Sequence, residues 1–134
     1  MELIMIRHAI AEKRDAQEYP DDDQRPLSAV GRKRQRRVAK ALRRMDCAPD
    51  RIITSPRVRA RQTAEIMAKE LGGGATMEES EALGRGYSPA AVLGLLSRFR
   101  DSETVVLVGH EPDFSALAAV LLGPDSGPEI RFKH

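Results

Sequence analysis

Apolar residues fall in short dense runs along the chain, and the runs alternate between two spacings. The first, in "ELIMIR", is apolar on consecutive positions from Leu3 to Ile6 and predicts a buried strand over Glu2–Arg7. A polar stretch rich in Asp, Gln and Pro follows to about Pro26 and reads as a loop. "RPLS" then announces a helix. Ser28 is placed to cap it, with Gly31 near its start and Val38, Ala41, Leu42 and Met45 at helical spacing as its apolar stripe. "RIIT", Arg51–Thr54, predicts a second strand, which Pro56 prevents from continuing. A second helix is expected from Arg57 to Leu71, with Thr63, Ile66, Met67 and Leu71 on one side and Gly72–Gly74 as its stop. A weak strand is expected near Ala75–Met77.

In "SPAAVLGLLSRF" Ser88 caps a third helix, Pro89 fits its first turn, and Val92, Leu95, Leu96 and Phe99 pack. "TVVLV", Thr104–Val108, is β-branched and apolar on both faces, which suits a strand covered on both sides. A fourth helix starts near Asp113 as its cap and carries Phe114, Leu117 and Leu121. "PEIRFKH" reads as a final, edge-like strand. Strand and helix alternate throughout, without a repeat, a linker or a low-complexity tract. The expected fold is α/β: one domain over residues 1–134, a three-layer sandwich with a mostly parallel sheet and helices on both faces.

Composition narrows the function classes. No apolar run approaches the roughly 18 residues of a membrane span, and the N-terminal run is broken by Arg7 and His8, unlike a signal peptide. The lone cysteine, Cys47, rules out an intrachain disulfide; the expected location is the cytoplasm, with no membrane partner. Net charge is only +2, but Arg32–Arg44 holds eight Lys or Arg and no acid. That run is either a solvated helix face or a patch for an anionic partner. Aromatics make up 4% and offer no stacking platform, which argues against nucleic acid as the partner.

The chemistry concentrates at strand ends, where open α/β sheets bind ligands. The first strand delivers Arg7 and His8. The second delivers Thr54 and Ser55, with Arg57, Arg59 and Arg61 beyond. The strand at Thr104–Val108 delivers Gly109 and His110. Taken singly, a histidine there is usually structural and an arginine usually pairs with a surface acid. Together, two histidines and several arginines suit a dianionic group, because the guanidinium fork matches phosphate oxygens. No H-x-x-x-H, H-E-x-x-H or cysteine pair marks a metal site, and Gly72–Gly74 lack the "GK[ST]" of a nucleotide-gripping loop.

"LIMIRHAIAE" resembles the RHG signature of the histidine phosphatase superfamily, also called phosphoglycerate-mutase-like. "IITSPRVRARQTAEI" resembles its second block, and "VVLVGHEPD" its third. With "RPLSAVGRKRQ", these segments are most similar to the SixA branch, the bacterial phosphohistidine phosphatases. The resemblance runs from the first strand to about Leu122. It implies a phosphoglycerate mutase-like fold and a metal-independent, cofactor-free phosphatase acting on phosphohistidine in a protein, such as a phosphotransfer or phosphocarrier domain. His8 would be the phosphorylated nucleophile. Arg7 and Arg59 would hold the phosphoryl oxygens, and a protonated His110 would donate to them. Arg25 and Ser55 would contact the substrate.

The chain departs from the family pattern at three points. Position 9 is Ala rather than the usual Gly. No residue clearly matches the glutamate that protonates an ester's leaving oxygen, Glu81 being the nearest candidate. The chain stops at His134, so a C-terminal hairpin is expected to be missing from it. A missing acid suits a phosphorylated imidazole, which leaves far more easily than an alkoxide. Three other readings stay open: a small-molecule phosphomonoesterase of the same superfamily, a basic nucleic-acid-binding module, and a phosphate-binding protein without catalysis.

Overall fold

The structure is a computed structural model that describes residues 1–123 and the backbone of Arg131–Lys133. Five strands and four helices alternate along these residues. They are β1 (Glu2–Arg7), α1 (Ala29–Arg44), β2 (Arg51–Thr54), α2 (Val58–Leu71), β3 (Thr76–Glu79), α3 (Pro89–Ser97), β4 (Thr104–Gly109), α4 (Asp113–Leu121) and β5 (Arg131–Lys133). Short 3-10 turns lie at Asp22–Gln24 and Glu81–Leu83. The strands form one sheet in the order β3-β2-β4-β1-β5, and every pairing is parallel. This is the expected α/β fold, with β5 at the edge as "PEIRFKH" suggested. Pro128, Glu129, Ile130 and His134 of that segment lie outside the described residues.

The period-2 geometry of the strands divides the core in two. Leu3, Met5, Val105 and Leu107 point to one face, where they pack with Val92, Leu95 and Leu96 of α3 and Phe114, Leu117 and Leu121 of α4. Ile4, Val106 and Val108 point to the other, against Ala60, Ala64, Met67 and Leu71 of α2 and Ala39 of α1. β4 contributes fully buried side chains to both faces, which is why its sequence is apolar without alternation.

Ser28 caps α1 by accepting from the Gly31 N–H, and Ser88 caps α3 by accepting from the Ala91 N–H. Pro89 occupies the first turn of α3 as expected. Two expectations fail. The first is the apolar stripe of α1: Val38, Ala41 and Met45 are exposed and Leu42 is half-buried. The buried seam runs through Gly31, Gln35 and Ala39, where small residues let α1 approach Ile10 and α2 closely. A polar residue in the middle of that seam hides it from any hydrophobic count. The second is the cap of α4: Asp113 makes no capping bond. Helical hydrogen bonding already starts at the His110 carbonyl, which accepts from Phe114 N–H, and the Glu111 carboxylate accepts the Ser115 N–H instead. Among the described residues, no helix is long and apolar enough to cross a membrane.

Candidate active site

Strand register brings distant residues to one place. Arg7 of β1 pairs with Gly109 of β4, and the ladder continues one step further, with His8 N–H donating to the Gly109 carbonyl at 3.0 Å. His8 and His110 therefore follow adjacent strand ends side by side, with ring centroids 5.2 Å apart and planes inclined at 53°. On the other side of β4, Thr54 pairs with Val108, and Ser55 N–H donates to the Val108 carbonyl at 2.9 Å. That step sets the Ser55 hydroxyl 2.7 Å from His110 Nε2. Pro56 ends β2 there, and α2 begins directly with Arg57 before it and Arg59 in its first turn.

The cavity at this edge has a volume of about 570 Å³ and is lined by Arg7, His8, Ala9, Arg14, Arg25, Arg57, Arg59, His110 and Glu111, with Ile10 and Ala11. His8 Nδ1 lies 2.7 Å from the Ala9 carbonyl. The carbonyl can only accept, so Nδ1 carries the proton and Nε2 keeps its lone pair. Ala9 N–H in turn donates to Thr63 Oγ1 at 3.1 Å, which fixes the loop that holds His8.

Ser55 Oγ accepts the Arg57 N–H, so its own hydroxyl is free to donate to His110 Nε2. That assignment leaves the proton on His110 Nδ1, which is buried and has no hydrogen-bond partner among the described residues. Arg59 Nε is likewise buried without a hydrogen-bond partner, in a residue only 5% exposed. Buried polar groups are nearly always satisfied in native proteins, so unpaired donors beside a cavity mark a place for an acceptor.

Asp22 organises the arginines. Its backbone carbonyl accepts from Arg59 Nη1 at 2.8 Å, and its carboxylate meets Arg59 Nη2 at 3.3 Å and Arg25 Nε at 2.8 Å. Arg25 also donates to the Glu12 carbonyl at 2.7 Å. Arg57 pairs with Asp23 at 3.2 Å. The hydrogen bond from Arg25, reinforced by the charges of Arg25 and Arg59, holds the Asp22 carboxyl below its usual range despite some desolvation.

Both histidines are neutral at physiological pH. Burial lowers His8 from 6.5; the bond to Ala9 opposes this, and the charges of Arg59, Arg7 and Arg25 add to the lowering. Burial comes first for His110 too, followed by Arg57, His8 and Arg59, and takes it to about 3. In the free protein His110 therefore stands neutral, unlike the protonated ring expected beside a phosphoryl group, because a buried ring among guanidinium groups resists a second positive charge. Burial, ahead of the neighbouring arginine charges, is the leading cause for His8 as well.

The structure gathers His8, Arg7, Arg59, His110 and Arg25 around one cavity. Ser55 is fully buried behind His110 and outside the lining, so it can act on a ligand only through that ring. Glu81 lies outside the cavity lining, exposed at an adjoining depression with Asp21, Gln24 and Arg85 that shares Arg57 with the cavity. Arg14, Arg57 and Glu111 line the cavity but were not singled out as site residues in the sequence. Arg57 stood in the right turn, and Glu111 directly follows His110; adjacency was the available signal for both. Among the described residues, no cluster of three or more His, Cys, Asp or Glu side chains could hold a metal ion. The arrangement can seat a dianion, with an unprotonated imidazole nitrogen on one side and guanidinium and N–H donors on the others.

Comparison with known proteins bears on the family and the fold. The family model of the histidine phosphatase superfamily (branch 1) matches residues 3–84. An uncharacterized protein of Picosynechococcus sp. is 38% identical over 99% of this chain and 80% of its own length. The protein histidine phosphatase SixA, solved with tungstate, shares the fold with a TM-score of 0.80 at 24% identity, over 97% of this chain and 83% of that one. A protein assigned as phosphohistidine phosphatase SixA of Nakamurella multipartitia gives a TM-score of 0.72 at 27% identity, over 94% of this chain and 71% of that one.

Proposed function

The chain belongs to the histidine phosphatase superfamily (branch 1), and from that premise we propose that it is a cytoplasmic phosphatase that removes the phosphoryl group from phosphohistidine in a protein. The observation that carries this reading is the pair of imidazoles 5.2 Å apart in a cavity ringed by arginines.

In this mechanism His8 Nε2 attacks phosphorus while Nδ1–H stays on the Ala9 carbonyl, which sets the tautomer and steadies the imidazolium that forms. The bond from phosphorus to the substrate's imidazole nitrogen breaks, and that nitrogen leaves with the bonding pair and takes a proton from solvent. Arg59, Arg25 and Arg7 surround the transferring oxygens, and Arg59 and His110, each with a buried unpaired ring or guanidinium nitrogen, line the same cavity. Preformed donors of this kind supply most of the catalysis in phosphoryl transfer. Water then attacks phospho-His8, releasing phosphate and restoring the free ring. The arginines supply the neutralising charge that a metal ion would otherwise bring.

The test compares wild type with His8→Ala on a phosphohistidine peptide and on phosphoramidate. The variant should lose roughly a thousandfold or more in turnover, and wild type quenched in acid-free denaturant should carry phosphate on His8. Retained activity in the variant sinks the nucleophile assignment.

One observation favours a second reading, a phosphatase for small phosphate esters. Glu111 brings a carboxyl group to the cavity, where a poor alkoxide leaving group would need a proton. Its Oε2 accepts from both the Ser115 N–H and hydroxyl, which favours an acceptor over a proton donor. Glu111→Gln separates the two. Little change on phosphoramidate and no ester activity in wild type support the phosphohistidine reading. Strong wild-type ester activity that falls a hundredfold in the variant supports the other.

A further inference from the structure

The exposed side of α1 is what the catalytic geometry leaves unexplained. Lys33, Arg37, Lys40 and Arg44 follow one another at intervals of four, three and four residues, and so form a single cationic ridge along the helix. Beside it, Val30, Arg34, Val38, Ala41 and Met45 form a second strip, apolar but for Arg34. Val30 is 55% exposed, Val38 45% and Met45 60%. Among the described residues, no Lys or Arg of α1 makes an ion pair, although arginines elsewhere in the fold pair freely. A helix whose only duty was to cover the sheet would not need an apolar strip turned outward.

This face is continuous with the phosphoryl cavity in two ways. At its N-terminal end, Ser28 N–H and hydroxyl both donate to the Ile10 carbonyl, and Ile10 lines the cavity mouth. Along its flank, Val38, Leu42 and Gln35 line a recess of about 320 Å³ with Ile6 and Phe114, and that recess shares Arg7 and Glu111 with the cavity. Inside it, the Gln35 amide nitrogen is buried and has no hydrogen-bond partner among the described residues.

We infer that the α1 face is the docking surface for the protein that carries the phosphorylated residue, and that the docked element is an acidic amphipathic helix. This rests on the phosphohistidine reading above and adds to it the chemistry of the partner. The cationic ridge selects for Asp and Glu on the incoming helix, and the adjacent strip takes its apolar seam. The unpaired Gln35 donor offers a bond to a carbonyl at the recess. α1 has 16 residues, about 24 Å at 1.5 Å per residue, enough to align a partner helix whose phosphorylated histidine then reaches the cavity past Ile10. An apolar strip inside the cationic face fits a protein helix better than a duplex, whose phosphates would meet the cations alone.

Two synthetic phosphohistidine peptides test this. They share the residues around the phosphorylated histidine; one is extended by an acidic amphipathic helix, the other by its lysine-substituted counterpart. Wild type should turn over the acidic peptide with kcat/KM about tenfold higher, a difference expected from complementary surface charge. Arg37→Glu with Lys40→Glu should abolish the preference, and Val38→Ser should reduce it several-fold, both leaving phosphoramidate turnover unchanged. Equal kcat/KM on the two peptides, or a preference that survives the charge reversal, overturns the inference. So does binding of duplex DNA or phosphatidylserine vesicles through these residues in place of the acidic helix. Anisotropy with the unphosphorylated acidic peptide isolates docking from chemistry. Binding to wild type but not to the charge-reversed variant, with neither phosphopeptide hydrolysed, upholds the docking face and rejects the phosphohistidine reading.

Discussion

One aspartate carries much of the site's geometry. Arg25 and Arg59 repel each other, a repulsion that contributes to lowering the Arg59 pKa after burial. Asp22 holds both with one carboxylate and fixes Arg59 a second time through its carbonyl. In Asp22→Asn the carbonyl contact survives but the bridging charge is gone, so the two forks should separate. Turnover of phosphoramidate should drop about tenfold, the equivalent of some 1.4 kcal/mol in the barrier, with the circular dichroism spectrum unchanged. An unaltered rate would mean that the arginines are held well enough by burial. Asp22 also marks the limit of what the sequence disclosed at this scale. His8, Arg7, Arg59 and His110 stood out because strand ends gather chemistry. An acid in a run of three aspartates, Asp21–Asp23, carried no such sign, since only the fold decides which of them bridges Arg25 and Arg59. Glu81 is marked in the sequence by chain position alone, and it lies outside the cavity lining.

At the level of elements, strands were easier to read than helix faces. β1, β2 and β4 are short apolar runs covered on both sides, and their composition announces it. α1 misled because its packing side is built from a glycine, a glutamine and an alanine. That side is a steric solution. A Cβ at Gly31 would lie 2.0 Å from the Ile10 carbonyl oxygen, a backbone atom with no freedom to yield. Gly31→Ala should therefore cost about 2–3 kcal/mol, in the range for overpacked sites, although alanine is ordinarily the better helix former. A urea denaturation midpoint at or above that of wild type would show that α1 can shift outward without penalty. Because Ile10 lines the cavity, the same variant should also weaken phosphate binding, a coupling between packing and chemistry that propensity alone would not reveal.

For the whole molecule, strand order matters most. β4 lies between β1 and β2, so segments more than a hundred residues apart, ending in His8 and His110, share one edge with Ser55 and Arg59. Hydrophobic patterning gives strands but not their order; the strand-end rule pointed these residues toward one edge, and the family resemblance alone assigned their roles. Burying two imidazoles at that edge also makes folding sensitive to acid. His110 titrates near 3 in the folded chain and near 6.5 when unfolded. The unfolded state thus binds the extra proton first, and stability present above pH 6.5 is lost as pH falls toward 3. At pH 5 the loss from this residue is about 2 kcal/mol. Denaturation midpoints at pH 7 and pH 5 should differ accordingly, and the difference should shrink in His110→Gln; identical shifts in both would assign the acid sensitivity to other groups. The opposite edge of the sheet has no such burden. There Gly72, Gly73 and Gly74 all adopt positive φ, and a Cβ at any of them would meet nothing within 4 Å. Beyond the N-terminal ends of β2 and β3, on the far side from both histidines, this bend is a natural insertion point for a fluorescent reporter or a tether, leaving the phosphate chemistry unobstructed.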